Sequence, residues 1–169
     1  MGGAIKDSLT LEPSLGQNVE SVATILETET QVTIDDWLHR IMDEHLPNAA
    51  RVDEKARSSH LPALFHELIL RLRNPIPSGS PIRESKAAAE HGLLRLKQGY
   101  SAATLIEESR CLQVSIFHTL NLNSHRLDFN RLLPDVMVIA DEVDAQLAQA
   151  MASYESGASQ TRKPPIAAV

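Results

Sequence analysis

The chain has 169 residues, of which 43% are hydrophobic, and a formal net charge of -6 at pH 7. This length accommodates one domain with a substantial core but not two ordinary domains. The acidic balance argues against a nucleic-acid partner, because binding to phosphates requires clustered Lys and Arg side chains. The single cysteine, Cys111, excludes an internal disulfide and suits a reducing cytoplasm. We also expect no membrane association, since no apolar stretch reaches 18 residues and no basic amphipathic run occurs.

The composition favours helices. Only 4% of the residues are aromatic, so the core must be built mainly from Leu, Ile, Val, Ala and Met. This composition, with few alternating β-branched runs, is more typical of helices than of strands. We predict an all-α bundle of five to six helices. Residues 17–156 form the predicted domain, residues 1–16 a flexible N-terminus, and residues 157–169 a linker or disordered tail.

The N-terminal half contains three predicted helices. The first covers residues 18–29. The second covers residues 33–46, because an acidic first turn after Thr33 is typical of a helix N-terminus. Residues 48–57 are polar and predict a loop or a frayed turn. The third helix covers residues 59–72, with a proline in its first turn.

Two amphipathic helices joined by one sharp corner form the centre of the chain. Ser80 and Pro81 are predicted to begin the first helix as its N-cap and first residue. Gly99 is predicted to end it, because glycine accommodates a positive φ, and Ser101 to cap the next helix. The predicted inner faces are Ala87, His91, Leu94 and Gln98 in the first helix and Leu105, Ser109, Leu112, Ile116 and Leu120 in the second. The stretch therefore predicts an antiparallel hairpin with Tyr100 at its elbow.

The longest predicted helix covers residues 129–154, where apolar positions recur every three or four residues. Pro134 lies near its start and marks either the first turn or a kink. From Gly157 onward the sequence is typical of an interdomain linker or a truncated end. This pattern is consistent with a fragment of a longer protein.

Seven histidines raise the question of a metal, heme or phosphotransfer site. No HxxxH, HExxH or CxxC spacing occurs, so we expect no metal site. Heme would need an axial histidine in an apolar pocket, for which His91 and His118 are the candidates. A phosphoacceptor must be exposed on a helix, and His91 and His66 are the candidates. No catalytic residue is assigned, because nucleophile motifs are absent and the adjacent Glu107 and Glu108 point about 100° apart.

The central stretch resembles a known sensory family. The pattern HG..R...GY....L..E.R.L is matched, with the preceding Glu90, by His91, Gly92, Arg95, Gly99, Tyr100, Leu105, Glu108, Arg110 and Leu112. This pattern is that of the RsbRD-type N-terminal domain, found in stressosome co-antagonist proteins and ahead of many bacterial histidine kinases. The resemblance covers about residues 33–155 and includes the stretch from His60 to Leu72. Ser109 departs from it, because an aromatic residue often follows the glutamate.

The resemblance implies an all-helical, globin-related sensory domain that usually lacks heme, forms dimers and regulates a C-terminal output domain. It also implies roles for the matched residues. Gly92 and Gly99 would permit close packing and the sharp corner, and Tyr100 would hold the elbow. Arg95 and Glu108 would form a polar contact between helices.

These observations lead to one main hypothesis and two alternatives. We expect a non-catalytic, homodimeric, cytoplasmic module without a cofactor, which signals through its last helix to a histidine-kinase or STAS-type output domain. His91 and Arg110 belong to its matched pattern without an assigned role. The first alternative is a heme-binding, globin-like sensor using His91 or His118. The second is a histidine phosphotransfer protein using His91.

Overall fold

The computed structural model describes residues 19–46, 52–77, 80 and 84–161. Within these ranges the chain forms α1 (Val22–Thr28), α2 (Thr30–Asp43), α3 (Glu54–Ser58), α4 (Leu61–Arg73), α5 (Lys86–Lys97), α6 (Ala102–Leu122) and α7 (Phe129–Thr161). A short 3-10 helix separates α6 from α7. The described residues form no strand, apart from an isolated bridge between Glu20 and Leu127. The predicted all-α bundle is therefore confirmed, with α3 as an additional short segment.

The start of α2 differs from the prediction. One residue, Glu29, separates α1 from α2, and Thr33 lies inside α2 rather than at its cap. The Thr33 hydroxyl donates to the Glu29 carbonyl at 2.9 Å and shares a hydrogen bond of 2.8 Å with the Thr119 hydroxyl of α6. Because its hydroxyl has these partners, Thr33 is compatible with a helix interior.

Helix α3 occupies part of the segment predicted to be a loop or a frayed turn. The Asp53 side chain accepts a hydrogen bond from the Ala56 N–H at 3.4 Å and so caps this single turn. Arg57, within α3, is only 2% exposed. Residues 47–51 lie outside the described residues.

Helix α5 begins later than predicted from Ser80 and Pro81. Its N-cap is Ser85, whose hydroxyl accepts from the Ala88 N–H at 2.9 Å and donates to the Glu67 carboxylate. A serine with both partners is well suited to begin a helix, because it satisfies one of the unpaired N–H groups there. Pro81 lies outside the described residues.

The buried face of α5 also differs from the prediction. His91 is buried as expected, but its buried neighbours are Ala88, Gly92 and Arg95. The structure therefore turns glycine and arginine inward, which apolar periodicity does not predict. On α6, by contrast, the predicted apolar positions Leu105, Leu112, Ile116 and Leu120 are all buried.

Helices α5 and α6 do not pack along each other as an antiparallel hairpin. Instead, α5 packs along α7, and α6 packs mainly against α2 and α7. The predicted hairpin is thus wrong, although the corner at Gly99 is confirmed by a φ of 76°. The reason is long-range packing: α7 offers α5 a closer partner than the next helix in the chain.

Helix α7 continues beyond its predicted end to Thr161. The predicted linker is therefore helical over residues 157–161, where Gly157 lies against the side chains of Leu93 and Leu96. Packing on α5 thus supports an additional helical turn. Pro134 lies inside α7. The predicted flexible N-terminus, 1–16, and the tail beyond Thr161 lie outside the described residues.

The core is mainly aliphatic and lies among α1, α2, α4, α6 and α7. Fully buried members include Ile25, Leu26, Trp37, Ile41, Leu61, Phe65, Leu105, Ile116 and Ile139. Cys111 is a buried residue of this core. Among the described helices, none combines the length and apolar character needed to cross a bilayer.

Candidate functional site

A buried ion pair links α5 to α6. The Arg95 Nε donates to Glu108 Oε2 at 2.6 Å, and the two side chains are only 0% and 2% exposed. The same guanidinium donates to the Arg57 carbonyl of α3 at 2.8 Å and to Gln98 Oε1 at 2.6 Å. The contact predicted between Arg95 and Glu108 is therefore confirmed. Because a buried charge requires such partners, this cluster holds three helices in one arrangement.

Tyr100 connects this cluster to α7. Its ring is buried, and the Arg95 guanidinium carbon lies 4.8 Å from the ring centroid, which is cation–π geometry. The Tyr100 carbonyl accepts a hydrogen bond of 2.7 Å from the Tyr154 hydroxyl of α7. Gly99 turns the chain into this position with its positive φ. Tyr100 at the elbow is therefore held by Arg95 at its ring and by Tyr154 at its carbonyl.

Gly92 brings α5 and α7 into close contact. A Cβ at this position would lie 1.9 Å from the Ala150 carbonyl oxygen, which is part of the α7 backbone. No side chain fits such a gap without moving one of the helices. Close packing through Gly92 is therefore confirmed.

His91 stacks on His60, which is the N-cap residue of α4. The ring centroids are 3.9 Å apart and the planes differ by 10°, while the Trp37 ring meets His60 edge-on at 6.3 Å. Burial and then the nearby Arg95 charge lower the pKa of His91 to about 3. Burial, followed by His91 and Arg95, also places the pKa of His60 well below its usual value. Both imidazoles are therefore neutral at pH 7.

Glu108 has an unusual environment for a carboxyl group. Burial raises its pKa to about 7, although Arg95 opposes this shift. Its Oε1 has no hydrogen-bond partner among the described residues. Tyr100 lies close enough to lower the pKa of Glu108. The Tyr100 hydroxyl nevertheless has no hydrogen-bond partner among the described residues. Glu108 also holds Trp37, whose Nε1 donates to the Glu108 carbonyl at 3.0 Å.

The histidine pair and Glu108 line a small cavity of about 30 Å³, whose other walls are mainly aliphatic. Small-molecule pockets are typically about 300–1,000 Å³, so this space does not fit a heme at His91. His118 does not fit one either, because its side chain is 42% exposed and its Nδ1 lies 3.1 Å from Asp36 Oδ1. The described residues contain no group of three or more potential metal ligands from His, Cys, Asp and Glu.

The two candidate phosphoacceptors differ in accessibility. His91 is only 9% exposed and its ring lies against another imidazole, so it lacks the exposure that phosphate transfer requires. His66 is exposed on α4. An exposed histidine is not by itself a phosphoacceptor site, and no arrangement of neighbouring side chains among the described residues favours phosphorylation of His66.

Arg110 lies apart from the buried cluster. It is exposed on α6 and forms ion pairs with Glu44, next to the end of α2, and with Glu107 in its own helix. These carboxylates raise the pKa of Arg110 above its already high usual value. The arrangement is a surface contact, which contributes little stability in water.

Two residues at the site have no local sequence signal. His60 and Arg57 come from the α3–α4 region and reach the site only through tertiary packing. The only available signal for His60 was its position in the sequence resemblance. Nothing in the sequence near Arg57 distinguishes its carbonyl as a partner of Arg95.

Comparison with known proteins does not identify a family for the chain. No family model, curated protein or solved structure matches it. Function must therefore be argued from the residues and their geometry.

Proposed function

We propose that the chain is a non-catalytic sensor module of a bacterial, cytoplasmic signalling protein of the RsbRD type. On this proposal it is a homodimer that passes a change in its core along α7 to an output domain of the histidine-kinase or STAS type. The observation that carries the proposal is that His91, Gly92, Arg95, Tyr100 and Glu108 of the matched pattern meet in one buried cluster that contacts α7, while Arg110 lies outside it.

The cluster supports a role in coupling helices. Arg95 and Glu108 join α5 to α6, while the Tyr100 carbonyl contacts Tyr154 of α7. Gly92 adds a backbone contact between α5 and α7. A shift in any of these helices must therefore be accommodated by α7, because packed interiors deform little.

The length of α7 supports its role as the output helix. It spans Phe129–Thr161, packs along α5, and is the longest of the described helices. At about 1.5 Å per residue, its 33 residues extend roughly 50 Å. This supports an output located beyond its C-terminal end.

An exposed apolar face at the start of α7 supports dimer formation. Phe129, Leu133 and Met137 are 67%, 70% and 55% exposed and are spaced by four residues, so they share one face of the helix. A largely apolar groove of about 320 Å³, lined in part by Phe117 and Leu132, lies beside them. Contiguous exposed apolar surface of this kind typically marks an interaction site.

Light scattering on the purified chain tests the dimer. We expect a dimer that Leu133→Asp converts to a monomer, because a buried charge at an interface is costly. Leu70→Asp, at a 44% exposed leucine of α4, is the matched control and is expected to remain dimeric. A monomeric wild-type chain would overturn the proposed dimer, and a dimer insensitive to Leu133→Asp would place its interface elsewhere.

Two spectroscopic and chemical measurements test the proposal against its alternatives. The purified protein is expected to show no Soret band after heme addition and no phosphohistidine after incubation with acetyl phosphate. A Soret band that shifts in His91→Ala or His118→Ala would instead establish a heme sensor. A phosphohistidine lost in His66→Gln or His91→Gln would establish a phosphotransfer protein.

A further inference from the structure

The small cavity among α4, α5, α6 and α7 combines free space with unsatisfied polar atoms. Glu108 Oε1, His91 Nδ1 and His60 Nδ1 are buried without a hydrogen-bond partner in the described structure. All three side chains line this one cavity. Leaving a buried polar atom unpaired costs about 1–3 kcal/mol, so three such atoms on residues that line one cavity require an explanation.

The size of the cavity limits what can occupy it. Its volume of about 30 Å³ exceeds the roughly 10–15 Å³ needed for one water molecule but is far below a typical ligand pocket. The charged groups beside the cavity further limit which occupants fit. An anion would meet the Glu108 carboxylate, and a cation would lie close to Arg95, so a neutral hydrogen-bonding occupant fits best.

A solvent-accessible groove lies on the other side of the histidine pair. An open groove of about 460 Å³ lies outside the histidine pair, and His60 and His91 line both this groove and the inner cavity. The remaining groove walls include Ala63 and Ala87, whose small side chains leave the approach open. The stacked imidazoles therefore separate the inner cavity from a solvent-accessible groove.

We propose that the inner cavity is a binding site for one or two water molecules that complete the hydrogen bonding of Glu108 Oε1 and of the His60 and His91 Nδ1 atoms. These waters are part of the folded structure. The neutrality of both imidazoles at pH 7, which follows from their lowered pKa values, leaves each ring with one donor and one acceptor nitrogen. The site stands on burial, space and unpaired atoms, independently of the proposed signalling function.

Relaxation dispersion of water oxygen-17, which counts long-lived internal waters, tests this site. Val143 lines the cavity, and Val143→Ile adds one methylene where the water is expected. Val138→Ile is the matched control, because Val138 packs against the same core without lining the cavity. We expect Val143→Ile to lose one or two long-lived waters relative to the wild-type chain and Val138→Ile to lose none.

The opposite results would overturn the proposal. An unchanged number of long-lived waters in Val143→Ile, with its circular dichroism intact, would show that the cavity is dry. A high-resolution crystal structure of the wild-type chain decides the matter even if Val143→Ile fails to fold. Ordered water within hydrogen-bonding distance of Glu108 Oε1 would support the site, and an empty cavity there would refute it.

Discussion

Arg95 and Glu108 form a 2.6 Å salt bridge that is hidden from solvent, although their helices pack mainly against other partners. Helix α5 lies along α7, and α6 lies mainly against α2. The pair therefore joins two consecutive helices that do not pack along each other. Its importance lies in fixing this arrangement, because a buried ion pair by itself is a weak source of stability.

A double-mutant cycle measures this pair directly. Glu108→Leu leaves the Arg95 guanidinium buried without its counter-ion and is expected to lower the free energy of unfolding by about 3–5 kcal/mol. Arg95→Met leaves the carboxylate unpaired and is expected to cost a similar amount. The double variant should cost less than the sum, because it removes both charges. Urea unfolding measures all three, and strictly additive losses would show that the two side chains do not interact.

The glycines are expected to differ in their tolerance of alanine. Gly92→Ala places a methyl group against the Ala150 carbonyl and should cost at least about 3 kcal/mol, the upper end for overpacking. Gly99→Ala meets no atom within 4 Å but strains a left-handed residue, at a cost of about 1–2 kcal/mol. Gly157→Ala meets only flexible leucine side chains and should be the mildest. Thermal and urea unfolding check this order, which fails if Gly92→Ala is no worse than Gly99→Ala.

His91 should make the fold sensitive to acid. Its pKa is lowered from 6.5 to about 3 in the folded state, so between these values the unfolded chain binds the extra proton. Stability contributed by His91 is therefore lost as the pH falls through this window, by at most about 1.4 kcal/mol per pH unit. His91→Gln should reduce the slope of unfolding free energy against pH across this window. Coincident slopes for wild type and His91→Gln would count against a buried neutral imidazole.

Glu108 should titrate near neutral pH. Burial raises its pKa from 4.5 to about 7, so the folded state holds the proton more tightly between these values. The contribution of Glu108 to stability therefore falls as the pH rises from about 4.5 to 7 and is constant above, opposite in sign to that of His91. Carboxyl carbon-13 NMR of the folded chain follows this group, with assignment from Glu108→Gln. A titration midpoint below 4.5 would mean that Arg95 outweighs desolvation.

The sequence predicts most of the helices because their signals are local. Apolar spacing located α4, α6 and α7, and the glycine at 99 located the corner between α5 and α6. The contact between Arg95 and Glu108 was also predicted, but from family resemblance rather than from spacing. The predicted helix boundaries are less accurate. Both Ser80 and Ser85 suit the N-cap of α5 by sequence, and the tertiary contact with Glu67 favours Ser85.

The packing partners and the rest of the site could not be predicted from local pattern. The sequence predicts α5 along α6, yet Gly92 fits the backbone of α7 at Ala150, a contact between residues far apart in sequence. The stacking of His60 on His91 likewise depends on how α4 meets α5. Glycine and arginine carry no hydrophobic signal, so apolar periodicity does not predict the burial of Gly92 and Arg95.

Hydrogen–deuterium exchange of Arg95→Met, compared with wild type, tests the central claim that the buried cluster and α7 act as one unit. We predict faster amide exchange at the α5–α6 corner and also in α7 around Ala150 and Tyr154, which contact α5 and the corner. Arg110→Met, which removes only exposed ion pairs, should change exchange near its own position alone. Faster exchange in Arg95→Met that stops at α5 and α6 and leaves α7 unchanged would contradict the account.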